Sequence, residues 1–214
     1  MNLIIIGPPG GGKGTYSERI SEEYDIPHIA SGDIFRREMN EETELGKKIQ
    51  EYVENGDLVP DEVVNKVMEK RLQEPDCEDG FILDGYPRTK AQGKALDEII
   101  ELDLVINLDV AEKVVVNRLS NRRVCKECGA IYNTEFMPPE EEGVCDECGG
   151  ELYQREDDQP EVIRNRLEEY REKTHPLLEY YKDKDLSANI EIPEERPIDE
   201  IMEEIHSAIN KRLS

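Results

Sequence analysis

The sequence feature that most constrains the fold is a glycine-rich segment placed between two apolar patterns. Residues 2–6 form a short continuous apolar run, which is typical of a strand buried on both faces. Residues 7–15 follow with five glycines, two prolines and Lys13, and beyond them apolar side chains recur every four positions, at Tyr16, Ile20 and Tyr24. A strand, a glycine loop and a helix in this order predict a phosphate-binding loop, in which backbone N–H groups and a lysine surround phosphate oxygens. A glycine-rich turn with an incidental lysine is the alternative.

Further apolar runs predict the rest of a sheet. They cover residues 28–30, 81–84, 104–108 and 189–192. Helical periodicity lies between them, at residues 61–72 with Asp61 as N-cap, at 161–182 with a bend near Pro176, and from Pro197 onward. Strands that alternate with helices predict an α/β fold with a parallel sheet of about five strands and ligands at the carboxyl ends of the strands.

Two segments interrupt this alternation. Residues 30–59 are charged and helix-prone, whereas residues 122–158 contain four cysteines, a Pro-Pro pair and several glycines. We therefore expect a core of residues 1–29, 60–121 and 159–214 with two insertions, 30–59 and 122–158.

The net charge narrows the choice of partners. With 27 Lys and Arg against 51 Asp and Glu, the formal charge is −24. This charge argues against sequence-independent binding to nucleic acid or to an anionic membrane, since both require Lys/Arg-rich surfaces. No apolar run approaches the roughly 20 residues of a membrane span, and the run at residues 3–6 is too short for a secretory signal. We expect a cytoplasmic protein.

The cysteines predict a metal site. Cys125-x-x-Cys128 and Cys145-x-x-Cys148 are separated by sixteen residues, the spacing of a four-thiolate zinc ribbon. Four cysteines leave no open position on the metal, so the predicted Zn²⁺ is structural. Disulfides are the alternative, which a reducing compartment disfavours. Cys77 is interpreted as a small apolar residue, and no histidine has a visible catalytic partner.

A strand-end carboxylate is the next chemical signal. Asp84 ends the apolar run 81–84, where nucleoside triphosphatases place the acid that holds Mg²⁺ or its water, and Arg88 follows within reach of a phosphate. Arg118 and Arg122 are four residues apart, a spacing that predicts two cations on one helix face.

Taken together, these motifs resemble the adenylate kinase family. The resemblance rests on the loop Gly7-Pro-Pro-Gly-Gly-Gly-Lys-Gly-Thr15, on Ser31-Gly-Asp33, and on Asp84-Gly-Tyr-Pro-Arg88, a block specific to nucleoside monophosphate kinases. It continues in order through Arg118, Arg122-Arg123, Arg155-Glu-Asp-Asp158 and Arg164-Asn-Arg166. The length of segment 122–158 is similar to the long lid of one type in this family. The resemblance implies a P-loop NTPase-type core, a helical nucleoside-monophosphate-binding insertion at 30–59 and a small β-rich, zinc-bound lid at 122–158.

The implied reaction is reversible, Mg²⁺-dependent phosphoryl transfer from ATP to AMP, which yields two ADP in a cleft that closes against water. The resemblance also implies a monomer. The implied catalytic residues are Lys13, Arg88, Arg122, Arg155 and Arg166. The implied ATP contacts are Gly10, Gly11, Gly12, Lys13, Gly14, Thr15, Arg118, Arg122, Ile131, Tyr132 and Arg196. The implied AMP contacts are Ser31, Arg36, Asp57, Leu58, Val59, Gly85, Tyr86, Pro87, Arg88, Gln92, Arg155 and Arg166. Asp84 is implied to hold Mg²⁺ through water.

Two other functions stay open at this point. A kinase of the same fold acting on UMP, CMP or GMP would share the phosphate loop and the Asp84–Arg88 block, but the long metal-type lid and Gln92 argue against it. A zinc-ribbon nucleic-acid binder with an ATPase core would share the loop and the cysteines, but the charge of −24 opposes it.

Overall fold

The protein, described at residues 1–213 by a computed structural model, is built on a parallel sheet with helices on both faces. The strands are β1 (Asn2–Ile6), β2 (His28–Ala30), β3 (Phe81–Asp84), β4 (Leu104–Val110), β5 (Arg122–Cys125), β6 (Ile131–Asn133), β7 (Leu152–Tyr153) and β8 (Ser187–Ile192). The helices are α1 (Lys13–Tyr24), α2 (Ser31–Asn40), α3 (Glu44–Asn55), α4 (Asp61–Leu72), α5 (Lys90–Asp97), α6 (Glu112–Ser120), α7 (Pro160–Glu169), α8 (His175–Lys182) and α9 (Ile198–Leu213).

Within the described chain, five strands form the main sheet in the order β2-β3-β1-β4-β8, and every pair is parallel. β1 is central, with Ile4 beside Leu83 of β3 on one side and beside Val105 of β4 on the other. Its apolar run is continuous because helices cover both faces of the sheet. One face packs on α1, α6 and α9, and the other on α4, α5 and α8. The predicted parallel sheet of five strands is confirmed.

The segment after β2 is helical, as its composition predicts. α2 and α3 form a hairpin in which a Cβ on Gly46 would lie 2.1 Å from the carbonyl oxygen of Glu38, so only glycine permits this close approach. Thr43 caps α3, since its hydroxyl accepts the Gly46 N–H at 3.0 Å. The hairpin is tied to α7 by Asn165, whose side-chain amide donates to the Asn55 carbonyl at 2.8 Å.

The long helical pattern near the end of the chain is interrupted. α7 and α8 are separated by a π-helical turn, Tyr170–Thr174, one turn before Pro176. Pro176 has no N–H for the carbonyl four residues earlier and its ring crowds that carbonyl, so the regular ladder widens there. The bend therefore lies before the proline, in the turn that the proline disrupts.

Two predictions about local structure are wrong. Arg118 and Arg122 do not share a helix face, because α6 ends at Ser120 and Arg122 begins β5. Asp61 is not an N-cap, since it is already the first residue of α4. Its carboxylate instead accepts hydrogen bonds from Thr89 at 2.9 Å and Gln92 at 2.7 Å.

The segment between α6 and α7 is a small separate sheet. Its antiparallel order is β6-β5-β7, and its hydrophobic cluster is small, with four buried members: Cys125, Tyr132, Cys145 and Leu152. Among the described residues, no helix has the length and hydrophobicity needed to cross a bilayer.

Candidate active site

The loop between β1 and α1 places Lys13 at the carboxyl end of the sheet. The Lys13 ammonium donates to the carbonyls of Gly7 at 3.0 Å and Pro8 at 2.9 Å. Gly12 adopts a left-handed conformation (φ +92°), and a Cβ there would lie 2.7 Å from the Tyr16 ring. Glycine is therefore required at Gly12, directly before the first N–H groups of α1, which face an anion when a helix begins in this way. The predicted loop residues Gly10, Gly11, Gly14 and Thr15 complete this loop and first turn.

Asp84 faces this loop from the end of β3. Its carboxylate lies 3.7 Å from the position of a Cβ on Gly14. Burial opposes ionisation of Asp84, but the His28 imidazole, Lys13 and Arg88 outweigh it and lower the pKa of the carboxyl group. Burial also lowers the pKa of Lys13 to about 8, although Asp84 favours its charged form. An ionised carboxylate beside a phosphate loop fits Mg²⁺ or its bound water.

Two arginines from distant segments converge on a pair of carboxylates. Arg122 of β5 makes a bidentate pair with Asp158, at 2.6 and 2.8 Å, and the Asp158 side chain is fully buried. Arg166 of α7 contacts both Asp157 at 2.8 Å and Asp158 at 3.3 Å. The two acids therefore hold the two guanidinium groups in fixed positions at one side of the cleft.

Three further arginines lie in the same electrostatic cluster with fewer acidic partners. Burial, and then the neighbouring Arg166, lowers the pKa of Arg88 to about 10. Burial, and then Arg36 and Arg122, lowers the pKa of Arg155 to about 10. Arg36 pairs with Asp33, whereas Arg155 has a buried Nε with no hydrogen-bond partner in residues 1–213. We call Lys13, Arg36, Arg88, Arg122, Arg155 and Arg166 the basic cleft.

A pocket opens beside the basic cleft, between the sheet and the α2–α3 hairpin. Most residues predicted for the acceptor line it: Ser31, Arg36, Asp57, Leu58, Val59, Gly85, Pro87, Arg88, Gln92 and Arg166. Its apolar walls include Phe35, Val53 and Val64, which sequence reasoning missed. Gln92 donates to Asp61 and accepts the Arg88 N–H at 2.6 Å, which leaves one amide N–H and one lone pair free for a ligand. An aromatic ring with a charged group fits this combination of apolar walls and arginines.

Two of the predicted acceptor residues, Arg155 and Tyr86, do not line the pocket. Arg155 belongs to the basic cleft beside it, whereas Tyr86 lies outside both. Its side chain is buried in the core and its hydroxyl donates to Asn65 at 3.0 Å. Tyr86 therefore positions the turn that carries Gly85 and Arg88 instead of lining the pocket.

The predicted ATP contacts divide into two groups. Arg118 lies at the outer edge of the loop, where it donates to the Gly11 carbonyl at 3.2 Å and pairs with Glu195 at 2.8 Å. Ile131 covers the loop, because its Cδ1 lies 4.0 Å from the position of a Cβ on Gly14. The side chains of Tyr132 and Arg196 point elsewhere: Tyr132 is buried among the cysteines, and Arg196 pairs with Glu204 of α9 at 2.6 Å. At these two positions, only the backbone is available to contact a nucleotide.

The four paired cysteines converge as their spacing predicts. Their sulfur atoms all lie within 4.8 Å of one another, with Cys125–Cys148 and Cys128–Cys145 each at 3.5 Å, and no disulfide joins them. A tetrahedral zinc site with Zn–S bonds of about 2.3 Å has sulfur–sulfur separations of about 3.8 Å. The four-thiolate set therefore fits Zn²⁺. We call Cys125, Cys128, Cys145, Cys148 and the packed Tyr132 the metal knot.

Three residues that bear on the site were not predicted to be there. Asp157 and Asp158 anchor the arginines, and His28 lies 3.7 Å from Asp84. The run of acids beside Arg155 was visible in the sequence, but its burial was not. His28 has no local signal, because its neighbour Asp84 is 56 residues away and meets it only through the pairing of β2 with β3.

Comparison with known proteins gives a consistent result. The family model described as "Adenylate kinase" matches residues 5–186. A protein named adenylate kinase from Archaeoglobus fulgidus is 49% identical over 216 residues, which cover 99% of each chain. Proteins of the same name from Thermosipho melanesiensis (54% identity, 85% of this chain and 87% of the relative) and Bacillus licheniformis (48%, 99% of each) are similarly close.

Proposed function

The chain belongs to the adenylate kinase family, and on that premise we propose that the basic cleft transfers the terminal phosphoryl group of ATP reversibly to AMP, giving two ADP. The observation that carries the proposal is the arrangement of six cations between a phosphate loop and an apolar pocket. Phosphoryl transfer needs positioning and neutralisation of charge, and no covalent intermediate on the protein. A cleft lined mainly by lysine and arginine side chains has this equipment.

Each cation has a proposed role that follows from its place. Lys13, Arg122, Arg155 and Arg166 would surround the transferring group, since they meet where the loop faces the carboxylate pair. Arg36 and Arg88 line the acceptor pocket and would hold the AMP phosphate. The N–H groups of these side chains already point to one region. They can therefore stabilise the charge of the transition state with little rearrangement during the reaction.

Magnesium fits the same site. Bound with ATP, Mg²⁺ neutralises part of the phosphate charge, and Asp84 is the residue proposed to hold it through water. The His28 imidazole and Lys13 favour the ionised form of Asp84 that this role requires. Zn²⁺ in the metal knot is proposed to have no part in the chemistry, because four thiolates leave it without an open position.

The two insertions have proposed functions as well. Residues 30–59 supply the AMP side of the pocket, and residues 122–158 form a lid that excludes water, with hinges near residues 30, 60, 121 and 159. Ile131 over Gly14 supports the lid role, since it places the second sheet above the phosphate loop. We further propose a cytoplasmic monomer, and we propose that it binds neither nucleic acid nor membrane because its net charge is −24.

A panel of acceptors tests the substrate assignment. ATP and Mg²⁺ are supplied with AMP, GMP, CMP or UMP in turn, and kcat/KM is measured in a coupled assay. We expect AMP to exceed the others by about 100-fold, because a site that hydrogen-bonds one base edge leaves polar groups unpaired with another base. Equal or better turnover with a pyrimidine monophosphate would assign the chain to the UMP/CMP branch of the same fold.

A further inference from the structure

Tyr132 faces the metal knot while its neighbour on the same strand faces the phosphate loop. Successive residues of a strand point to opposite faces. In β6, Ile131 covers Gly14, and the Tyr132 ring packs with Cys125, Cys145 and Leu152. One strand therefore separates the metal from the nucleotide side of the lid.

The hydroxyl of Tyr132 contacts one sulfur of the knot and the turn beside it. It is 3.4 Å from Cys145 Sγ, and it accepts the Asp146 N–H at 2.9 Å. The Asp146 carboxylate in turn accepts the Glu140 N–H at 3.0 Å, which braces the same turn. The hydroxyl thus joins the strand to the turn that carries the third and fourth cysteines.

Which atom donates the hydrogen bond between Tyr132 and Cys145 follows from which of the two groups carries a proton. A phenol has one proton to donate, and its lone pairs accept the Asp146 N–H. A cysteine that ligates a metal is a thiolate and has no proton to give. The Tyr132 O–H must therefore be the donor to Cys145 when the metal is bound.

Cys145 differs in this respect from the other three cysteines. Cys125 accepts a backbone N–H, that of Glu127 at 3.4 Å, while Cys128 and Cys148 are exposed. Within residues 1–213, Cys145 is the one ligand with a side-chain hydroxyl directed at its sulfur.

We propose that Tyr132 is a positioning residue for the structural metal: its O–H···S bond holds the Cys145 sulfur in place, retains the metal and ties it to the strand that covers the phosphate loop. Replacement of a residue that hydrogen-bonds to a metal ligand commonly lowers the metal affinity by 10- to 100-fold. The inference concerns the lid and holds for whichever nucleoside monophosphate the cleft accepts.

The test compares Tyr132→Phe with Tyr153→Phe in the full-length, zinc-loaded protein. Tyr153 lies in β7 of the same small sheet, and its hydroxyl makes no hydrogen bond within the described residues, so it is a matched control. Zinc transfer to a chromophoric chelator gives the metal affinity and release rate. We expect the Tyr132 variant to bind zinc at least about 10-fold more weakly and the Tyr153 variant to stay within twofold of the parent protein.

A spectroscopic measurement distinguishes the positioning of the Cys145 sulfur from a general loosening of the metal site. In Co²⁺-loaded protein, the sulfur-to-metal charge-transfer bands should shift in Tyr132→Phe and stay tetrahedral in type. Zinc affinity within twofold of the parent would overturn the proposal. Loss of the tetrahedral bands would also overturn it, because a hydrogen bond that only positions one sulfur leaves four-thiolate ligation intact.

Discussion

The basic cleft and the metal knot are each clusters of groups that carry the same charge. The cleft is positive, the metal-binding thiolates of the knot are negative, and different contacts hold the two clusters in place. The cleft gathers six cations from the core and from both insertions, and Asp157 and Asp158 already balance part of the charge. The knot brings four thiols from two short turns into a segment whose hydrophobic cluster has only four buried members, two of them cysteines of the knot, within the described residues. Asp157 and Asp158 hold two of the arginines without a ligand, whereas the four thiols of the knot need a cation to supply their core. Loss of the ligand should therefore affect activity in one region and folding in the other.

The largest expected effect is on the knot. Removal of metal with a strong chelator should increase the rate of proteolysis within residues 126–151 by about 100-fold or more, because zinc contributes roughly 10 kcal/mol or more to the folding of small four-ligand modules. The purified protein should contain about one zinc per chain. Mass spectrometry of the fragments and metal analysis provide the two measurements.

The α2–α3 hairpin is the internal control for that experiment. It is also an insertion, but it is held by Phe35 and Ile49 in the core and by Thr43 and Gly46 at the turn between its helices. Cleavage there should be equally slow with and without metal. A protein without metal whose lid resists protease would show that the knot is stable through its own packing.

A smaller effect is expected at Lys13 of the cleft. Since the pKa of Lys13 is lowered to about 8 in the free protein, it is mostly neutral at pH 9, and a bound phosphate restores its charge. Nucleotide binding should therefore take up about 0.9 proton at pH 9 and about 0.1 at pH 7, and affinity should fall up to about tenfold per pH unit above 8.

Calorimetry in two buffers of different ionisation enthalpy measures this uptake. Lys13→Arg keeps a positive charge that does not titrate in this range, so its binding should show no uptake from this position. Equal uptake in the parent and the variant would assign the proton to another group.

Local patterns were sufficient to predict some parts of the molecule. β1 and β3 have the predicted bounds, because a continuous apolar run followed by Gly or ending in Asp specifies a buried strand with little ambiguity, whereas the short run at His28–Ala30 was a weaker signal for β2. The cysteine spacing likewise predicted that the four cysteines of the knot converge, since two tight turns on one small sheet can meet in few ways.

Other parts depend on contacts that no local pattern contains. The spacing of Arg118 and Arg122 suggested one helix face, but α6 ends between them and Arg122 faces Asp158 from a strand. Tyr132 fits either face of β6 by sequence, and only the position of the cysteines turns it inward. His28 meets Asp84 through strand order, which alternation of strands and helices does not specify.

Arg155→Ala in single-turnover phosphoryl transfer tests the role of the basic cleft most directly. Arg155 has a buried Nε without a partner, so its removal leaves no acid unpaired, and Arg164→Ala on the exposed face of α7 is the matched control. We predict a loss of about 100- to 1,000-fold in the rate of transfer with an unchanged melting temperature, and no loss in the control. A rate within threefold of the parent protein would contradict the account, because the cation cluster would then not act on the transferring group.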